Sequence, residues 1–278
     1  MQQLYSYGHA LDMSDDKIGH LRDSSDVDIE NVDELRNRIA EDGYLYIKGF
    51  LDRDQVLDTG KSIRKHLNGH IPPAQCQEVK DLLYTGKIPN LYEKIFGETI
   101  RHYDFTWFRA MGPGKGTNPH CDLPYMGRGT HRHMTCWVPY QDVDFELGGL
   151  MVLEGSHKRM DLLQNYVFRD VDSYCENSDR DMKKLENNEW AFTGELSHNP
   201  PAIRNKFSGR WLVSEYQAGD LLTFGMFVVH AALDNRSENR VRVSTDSRYQ
   251  RSSEPIDERW IGIDPPAHGP RGKRNLIC

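Results

Sequence analysis

From residue 102 to about 247 the chain is a succession of short runs rich in β-branched and aromatic residues, each closed by Gly, Pro or Asp. The runs cover 102–111, 133–140, 150–153, 212–216, 220–227 and 241–249. Segments of this length and spacing read as strands joined by turns. Short strands that follow one another must close on themselves or stack face to face to bury their apolar side. A β-sandwich or barrel is therefore the expected core. Residues 158–210 are the least strand-like part of this half, and they are expected to form a partly helical insertion or lid.

The first third reads differently. Residues 1–30 are acidic and polar, so an irregular N-terminal arm is expected. Residues 31–40 then space Val32, Leu35 and Ile39 at helical intervals, with Asn31 as a cap and Gly43 as the stop. Tyr44-Leu45-Tyr46-Ile47-Lys48-Gly49-Phe50 reads as a strand. Asp52 caps a second helix over about 53–67, with Val56 and Ile63 on one face. Pro72-Pro73 breaks the chain, and a weaker helical region covers 79–96, interrupted near Gly86 and Pro89. The Pro/Gly-rich, basic stretch 264–278 is expected to be an extended or poorly ordered tail. No internal repeat is visible. The architecture that follows is one domain over 1–278, mainly β with flanking helices.

Composition removes several function classes. A net charge of −7 opposes non-specific nucleic-acid binding, which needs a basic field. No apolar run approaches the roughly 18 residues that would span a bilayer, and the N-terminus lacks the pattern of a secretory signal. The five cysteines are odd in number and contain no CxxC pair, which points to reduced thiols and a cytoplasmic location.

The chemistry begins at His120-Cys121-Asp122. On a strand, residues i and i+2 share a side, so an imidazole and a carboxylate can aim at one point while Cys121 faces away. His230, which ends the run Gly219-Asp220-Leu221-Leu222-Thr223-Phe224-Gly225-Met226-Phe227-Val228-Val229, is the best third ligand. Two histidines and one carboxylate leave three positions open and suit a non-haem Fe(II) that must also bind O2 and a chelating co-substrate. His131 and His133 form a rival i, i+2 pair, but no carboxylate follows at a useful spacing. His157, after Gly155-Ser156, is expected in a turn. Downstream, Arg240, Arg242 and Ser244 share one face of a strand, where a guanidinium and a hydroxyl can grip a carboxylate.

Together these motifs resemble the phytanoyl-CoA dioxygenase-like branch of the Fe(II)- and 2-oxoglutarate-dependent oxygenases. The likeness runs from about Val32 to Tyr249. It is carried by EDGYLYIKGF, the HCD triplet, GGLMVLEGSHK, and GDLLTF followed by His230 and Arg242-Val243-Ser244. The resemblance implies a double-stranded β-helix (jelly-roll, cupin-like) core with His120, Asp122 and His230 as catalytic iron ligands. It further implies that Arg242, assisted by Ser244, binds the distal carboxylate of 2-oxoglutarate, with Arg240 as the alternative. Thr135 and Trp137 would line the co-substrate pocket. In related halogenases the carboxylate ligand is replaced by a small residue, so Asp122 favours hydroxylation. The implied reaction converts 2-oxoglutarate and O2 to succinate and CO2 while oxidising a small-molecule substrate.

Tyr125, Met126 and Arg128 follow the triplet and are expected to overlook the pocket. Arg159, Arg204 and Arg210 are expected as solvated surface charges, with contact to an anionic molecule as the alternative. Two other readings compete with the oxygenase. One is a Zn-dependent hydrolase or isomerase on a cupin-like barrel, in which Arg242 and Ser244 would have no duty. The other is a jelly-roll binding protein without catalysis. The substrate and the oligomeric state are not encoded in any of these motifs.

Overall fold

The computed structural model describes residues 2–68 and 76–278. The break expected at Pro72-Pro73 lies outside them. Two sheets face each other across the core. The larger runs in the order Tyr44–Ile47, Leu221–Gly225, Met134–Pro139, Arg242–Arg251, with Ile100–His102 and Trp107–Met111 both paired to Arg242–Arg251. The smaller runs His230–Ala232, Leu150–Leu153, Trp211–Val213, Ile18–His20. All pairings are antiparallel except the last, which is parallel.

Alternation along the strands separates three apolar layers. Cys136, Val138, Val243 and Tyr249 face outward from the larger sheet onto Leu35, Val56, Val79, Leu83 and Leu91. Those residues belong to the helices Val32–Asp42, Arg53–Asn68, Gln77–Tyr84 and Lys87–Phe96. Between the sheets lie Tyr46, Trp137, Val152, Leu212, Tyr216 and Phe224. Beyond the smaller sheet, Met151, Leu153 and Trp211 pack under Leu163, Tyr166, Ile203 and Phe207.

The caps that end the first helix are those expected. Asn31 Oδ1 accepts from the Glu34 N–H, and Gly43 closes the helix at φ +84, giving its N–H to Ile39 O. The Asp52 carboxylate likewise accepts from the Gln55 N–H.

Three expectations change. Residues within 1–30 form a small hairpin, Tyr5–Ser6 with His9–Ala10, and a strand added to the smaller sheet. They do so because Leu4, Leu11 and Ile18 are buried against that sheet. The segment 158–210, expected to be partly helical, holds Met160–Val167 and Pro200–Phe207 over the smaller sheet, and Asp179–Glu186, with no buried residue, beside Ser173–Cys175. Within the tail, Arg274–Leu276 pairs in parallel with Ser173–Cys175, and Cys175 forms a disulfide with Cys278. The expectation of wholly reduced thiols is thus corrected for this pair. Their separation of 103 residues left no local spacing to reveal it. Cys76, Cys121 and Cys136 are free and buried. No helix of the described residues is long and apolar enough to cross a membrane.

Candidate active site

His120 and His230 are cross-strand neighbours. Each gives its backbone N–H to the other's carbonyl, at 3.0 and 2.9 Å. His230 is in turn held to Val152 in the smaller sheet, and Ser156 Oγ accepts from the Val229 N–H next to it. The GSHK turn therefore braces the histidine that follows GDLLTF. His157 sits in that 3-10 turn with Nε2 3.2 Å from Ala40 O.

Asp122 does not arrive by strand alternation. The chain leaves the extended conformation after His120, and Asp122 has φ −77 and ψ −23 at the start of the short helix Leu123–Met126. A turn rather than a pleat carries the carboxylate to the imidazoles. Its Oδ1 lies 3.7 Å from His120 Nε2 and 3.6 Å from His230 Nε2. Among the described residues this is the one group of His, Cys, Asp and Glu able to hold a metal ion, with all ligand atoms within 4.8 Å of one another.

The surroundings fix which atoms point inward. His120 Nδ1 is 2.6 Å from Asn118 O and His230 Nδ1 is 3.1 Å from Val228 O. A ring N–H donated to a carbonyl leaves the Nε2 lone pair directed at the centre. Thr135 Oγ1 and Arg248 Nη2 both donate to Asp122 Oδ2, at 2.5 and 2.9 Å, so Oδ1 alone faces the histidines. Burial pulls the His120 imidazole down to about 4, with the neighbouring His230 adding to it, so His120 is a neutral donor near pH 7. Burial pushes the Asp122 carboxyl up, but Arg248, His230 and His120 outweigh it and hold it ionised. Two imidazole nitrogens and one carboxylate oxygen fit a divalent iron-type ion.

Behind this centre a narrow inner pocket is lined by Thr135, Trp137, Leu150, Phe224 and Arg242. The strand Arg242–Arg251 sends Arg242, Ser244, Asp246 and Arg248 inward by alternation, while Val243 and Tyr249 face the helices. Arg242 is only 2% exposed. Among the described residues its Nε has no hydrogen-bond partner, and Nη1 lies 3.5 Å from Ser244 Oγ. Burial pulls the guanidinium down to about 10, against the pull of Asp246. A buried arginine with an unused donor is suited to an incoming carboxylate. Arg240, the alternative, is held outside the pocket by Asp144 and Glu146, at 2.8 and 2.6 Å.

Of the other expected residues, Trp137 lines the inner pocket, 5.7 Å beneath the Arg242 guanidinium. Thr135 lines it too, yet spends its hydroxyl on Asp122. His131 and His133 stay outside the constellation, with ring nitrogens on Gly127 O and Thr130 O. Arg128 pairs with Asp170, Arg159 with Asp161 and Arg210 with Glu154. Arg204 is buried rather than solvated. Sequence reasoning missed Arg109, Asp246 and Arg248. The alternation Arg242, Ser244, Asp246, Arg248 was the available signal for the last two.

A second cavity of about 360 Å³ opens on the other side of the triad, walled by Tyr7, Trp107, Arg109, Tyr125, Trp190 and His268. Met126 reaches it as well. It is large enough for a small organic molecule beside His120 and Asp122.

Comparison with known proteins finds a family, two curated relatives and a shared fold. The family model described as phytanoyl-CoA dioxygenase matches residues 76–243. Two 1-deoxypentalenic acid 11-beta-hydroxylases, from Streptomyces exfoliatus and Streptomyces arenae, are 24% and 26% identical over 244 residues. Each alignment covers 77% of this chain and 79% of the relative. The fold is shared with the epimerase SnoN of nogalamycin biosynthesis, crystallised with Fe3+, alpha ketoglutarate and nogalamycin RO. That match has 22% identity and a TM-score of 0.59, covering 87% of this chain and 95% of that one. It is also shared with the carbocyclase SnoK, at 18% identity and a TM-score of 0.62, covering 83% and 88%.

Proposed function

We propose, from the premise that this chain belongs to the phytanoyl-CoA dioxygenase family, that it hydroxylates a small organic molecule using Fe(II), 2-oxoglutarate and O2. His120, Asp122 and His230 would hold the iron, and Arg242 with Ser244 the distal carboxylate of 2-oxoglutarate. The observation that carries this reading is the placement of Arg242. An otherwise unpaired guanidinium ends the inner pocket that begins at the His–Asp–His cluster.

Fe(II) with 2-oxoglutarate supplies the activation of O2, coupled to decarboxylation of the co-substrate to succinate and CO2. The protein's own part is positional. The carbonyls of Asn118 and Val228 fix the two imidazoles in the tautomer that presents Nε2. Thr135 and Arg248 anchor Asp122 through one oxygen. Arg242 sets the reach of the co-substrate, while Trp137 and Phe224 keep its stem in an apolar slot. The cavity beyond His120 would hold the substrate on the opposite side of the triad. Both hydroxylase relatives are named for 1-deoxypentalenic acid, which supports a small organic molecule as the class of substrate here.

The test is succinate formation from 2-oxoglutarate by the purified protein. It is expected to need Fe(II) and O2 together and to be lost in Asp122→Ala. Zn(II)-supported turnover without O2 would instead favour a hydrolase.

A further inference from the structure

Arg109 lies on the strand Trp107–Met111, opposite Ser244 in the register. Its Nε donates to Asp246 Oδ2 at 2.9 Å. Among the described residues no hydrogen bond uses either of its terminal nitrogens. Its side chain is 38% exposed, although Asp246 beneath it is at 8%. It borders both the inner pocket and the outer cavity.

The other charges around that cavity are engaged. Arg248 is spent on Asp122. His268 Nδ1 is 2.7 Å from Asp172. Glu195 accepts from Asn118 and Thr193 and lies 3.1 Å from His198. What remains, among the described residues, is one guanidinium with its end-on fork free, set among the rings of Trp107, Tyr125, Trp190 and Tyr7. Such a fork matches a carboxylate with two parallel hydrogen bonds. The rings match an apolar, compact body.

We infer that Arg109 is the specificity-determining anchor for an anionic substrate, a carboxylic acid on a compact apolar skeleton. The inference rests on the function proposed above, which assigns the inner pocket to 2-oxoglutarate and leaves the outer cavity to the substrate. The carboxylate on Arg109 pins one end of the molecule, and the carbon to be oxidised lies toward His120 and Asp122. Arg242 serves the co-substrate and Arg109 the substrate, so the two arginines divide two acids between them.

The test is a binding comparison on the anaerobic protein carrying Fe(II) and saturating 2-oxoglutarate. Adamantane-1-carboxylate and its primary amide are titrated against tryptophan fluorescence, since Trp107 and Trp190 wall the cavity. The acid is expected to bind about tenfold tighter than the amide or better, as suits charge-assisted hydrogen bonds. That preference is expected to vanish in Arg109→Met and to survive in part in Arg109→Lys, each titrated at a 2-oxoglutarate concentration that saturates that variant. The wild-type comparison stands even if a variant fails to fold. Equal binding of acid and amide, binding of neither, or an acid preference that persists in Arg109→Met overturns the assignment. Repeating the comparison on metal-free protein separates it from failure of the iron reading, because the acid preference requires no metal.

Discussion

Arg248 and Asp122 stand 126 residues apart in sequence and meet in the core, Nη2 to Oδ2 at 2.9 Å, with both side chains at most 5% exposed. The pair decides which oxygen of the carboxylate is left for a metal. It also balances a carboxylate charge that would otherwise be buried without a cationic partner. Trp107 covers the far side of the guanidinium, 4.6 Å from its centre.

Removing one partner of such a pair leaves a buried charge alone. Arg248→Met is therefore expected to destabilise the metal-free protein by about 3–5 kcal/mol. Adding Asp122→Asn to it should recover part of that loss. Urea unfolding of the two single variants and the double variant measures this. A loss under about 1 kcal/mol would mean that the pair behaves like a surface contact.

Thr135→Val keeps the shape and removes only the hydroxyl that donates to Asp122 Oδ2. Partners of a ligating carboxylate typically contribute 10–100-fold to metal affinity. A drop of about tenfold or more in affinity for Co(II), followed by its visible bands without 2-oxoglutarate, is expected. An unchanged titration would show that Arg248 alone orients the carboxylate.

Arg242 and Arg240 give opposite expectations. Arg242→Gln should weaken 2-oxoglutarate binding by about 100-fold, since it removes a buried charge-assisted pair. Arg240→Gln should change it little, because Arg240 is tied to Asp144 and Glu146 outside the pocket. Isothermal titration of each variant decides it, and a larger loss in Arg240→Gln would reverse the assignment.

Gly43 supports the site from behind. Its φ is +84, and an added Cβ would lie 2.6 Å from His157 Nδ1 and 2.9 Å from a Val228 methyl. Gly43→Ala combines backbone strain with overpacking and should cost about 1–3 kcal/mol. Thermal unfolding reads it, and a neutral result would show that the GSHK turn can shift without harm.

The strands were legible because β-branched and aromatic runs are set off by Gly, Pro and Asp turns. The run 150–153 and the expected strand 241–249 fall on Leu150–Leu153 and Arg242–Arg251 with little change. His120, Asp122, His230 and Arg242 were legible as residue types, and the structure gathers them at one pocket. Strand alternation does not account for Asp122, which a turn brings in. Arg248 and Arg109 were hidden because their roles depend on pairings made across the sheet. The order in 1–30 was hidden for a related reason. Single apolar residues such as Leu4 and Leu11 are too sparse to show a period, yet each fills a place against the smaller sheet.

The central claim is that one pocket holds iron at His120, Asp122 and His230 and 2-oxoglutarate against Arg242. The most direct test is the visible absorption of the anaerobic protein on adding Fe(II) and then 2-oxoglutarate. A weak metal-to-ligand charge-transfer band is predicted in the wild type. It should be lost in Asp122→Ala, and recovered in Arg242→Gln only at far higher 2-oxoglutarate. Absence of the band in the wild type, with tight Zn(II) binding in its place, would contradict the account.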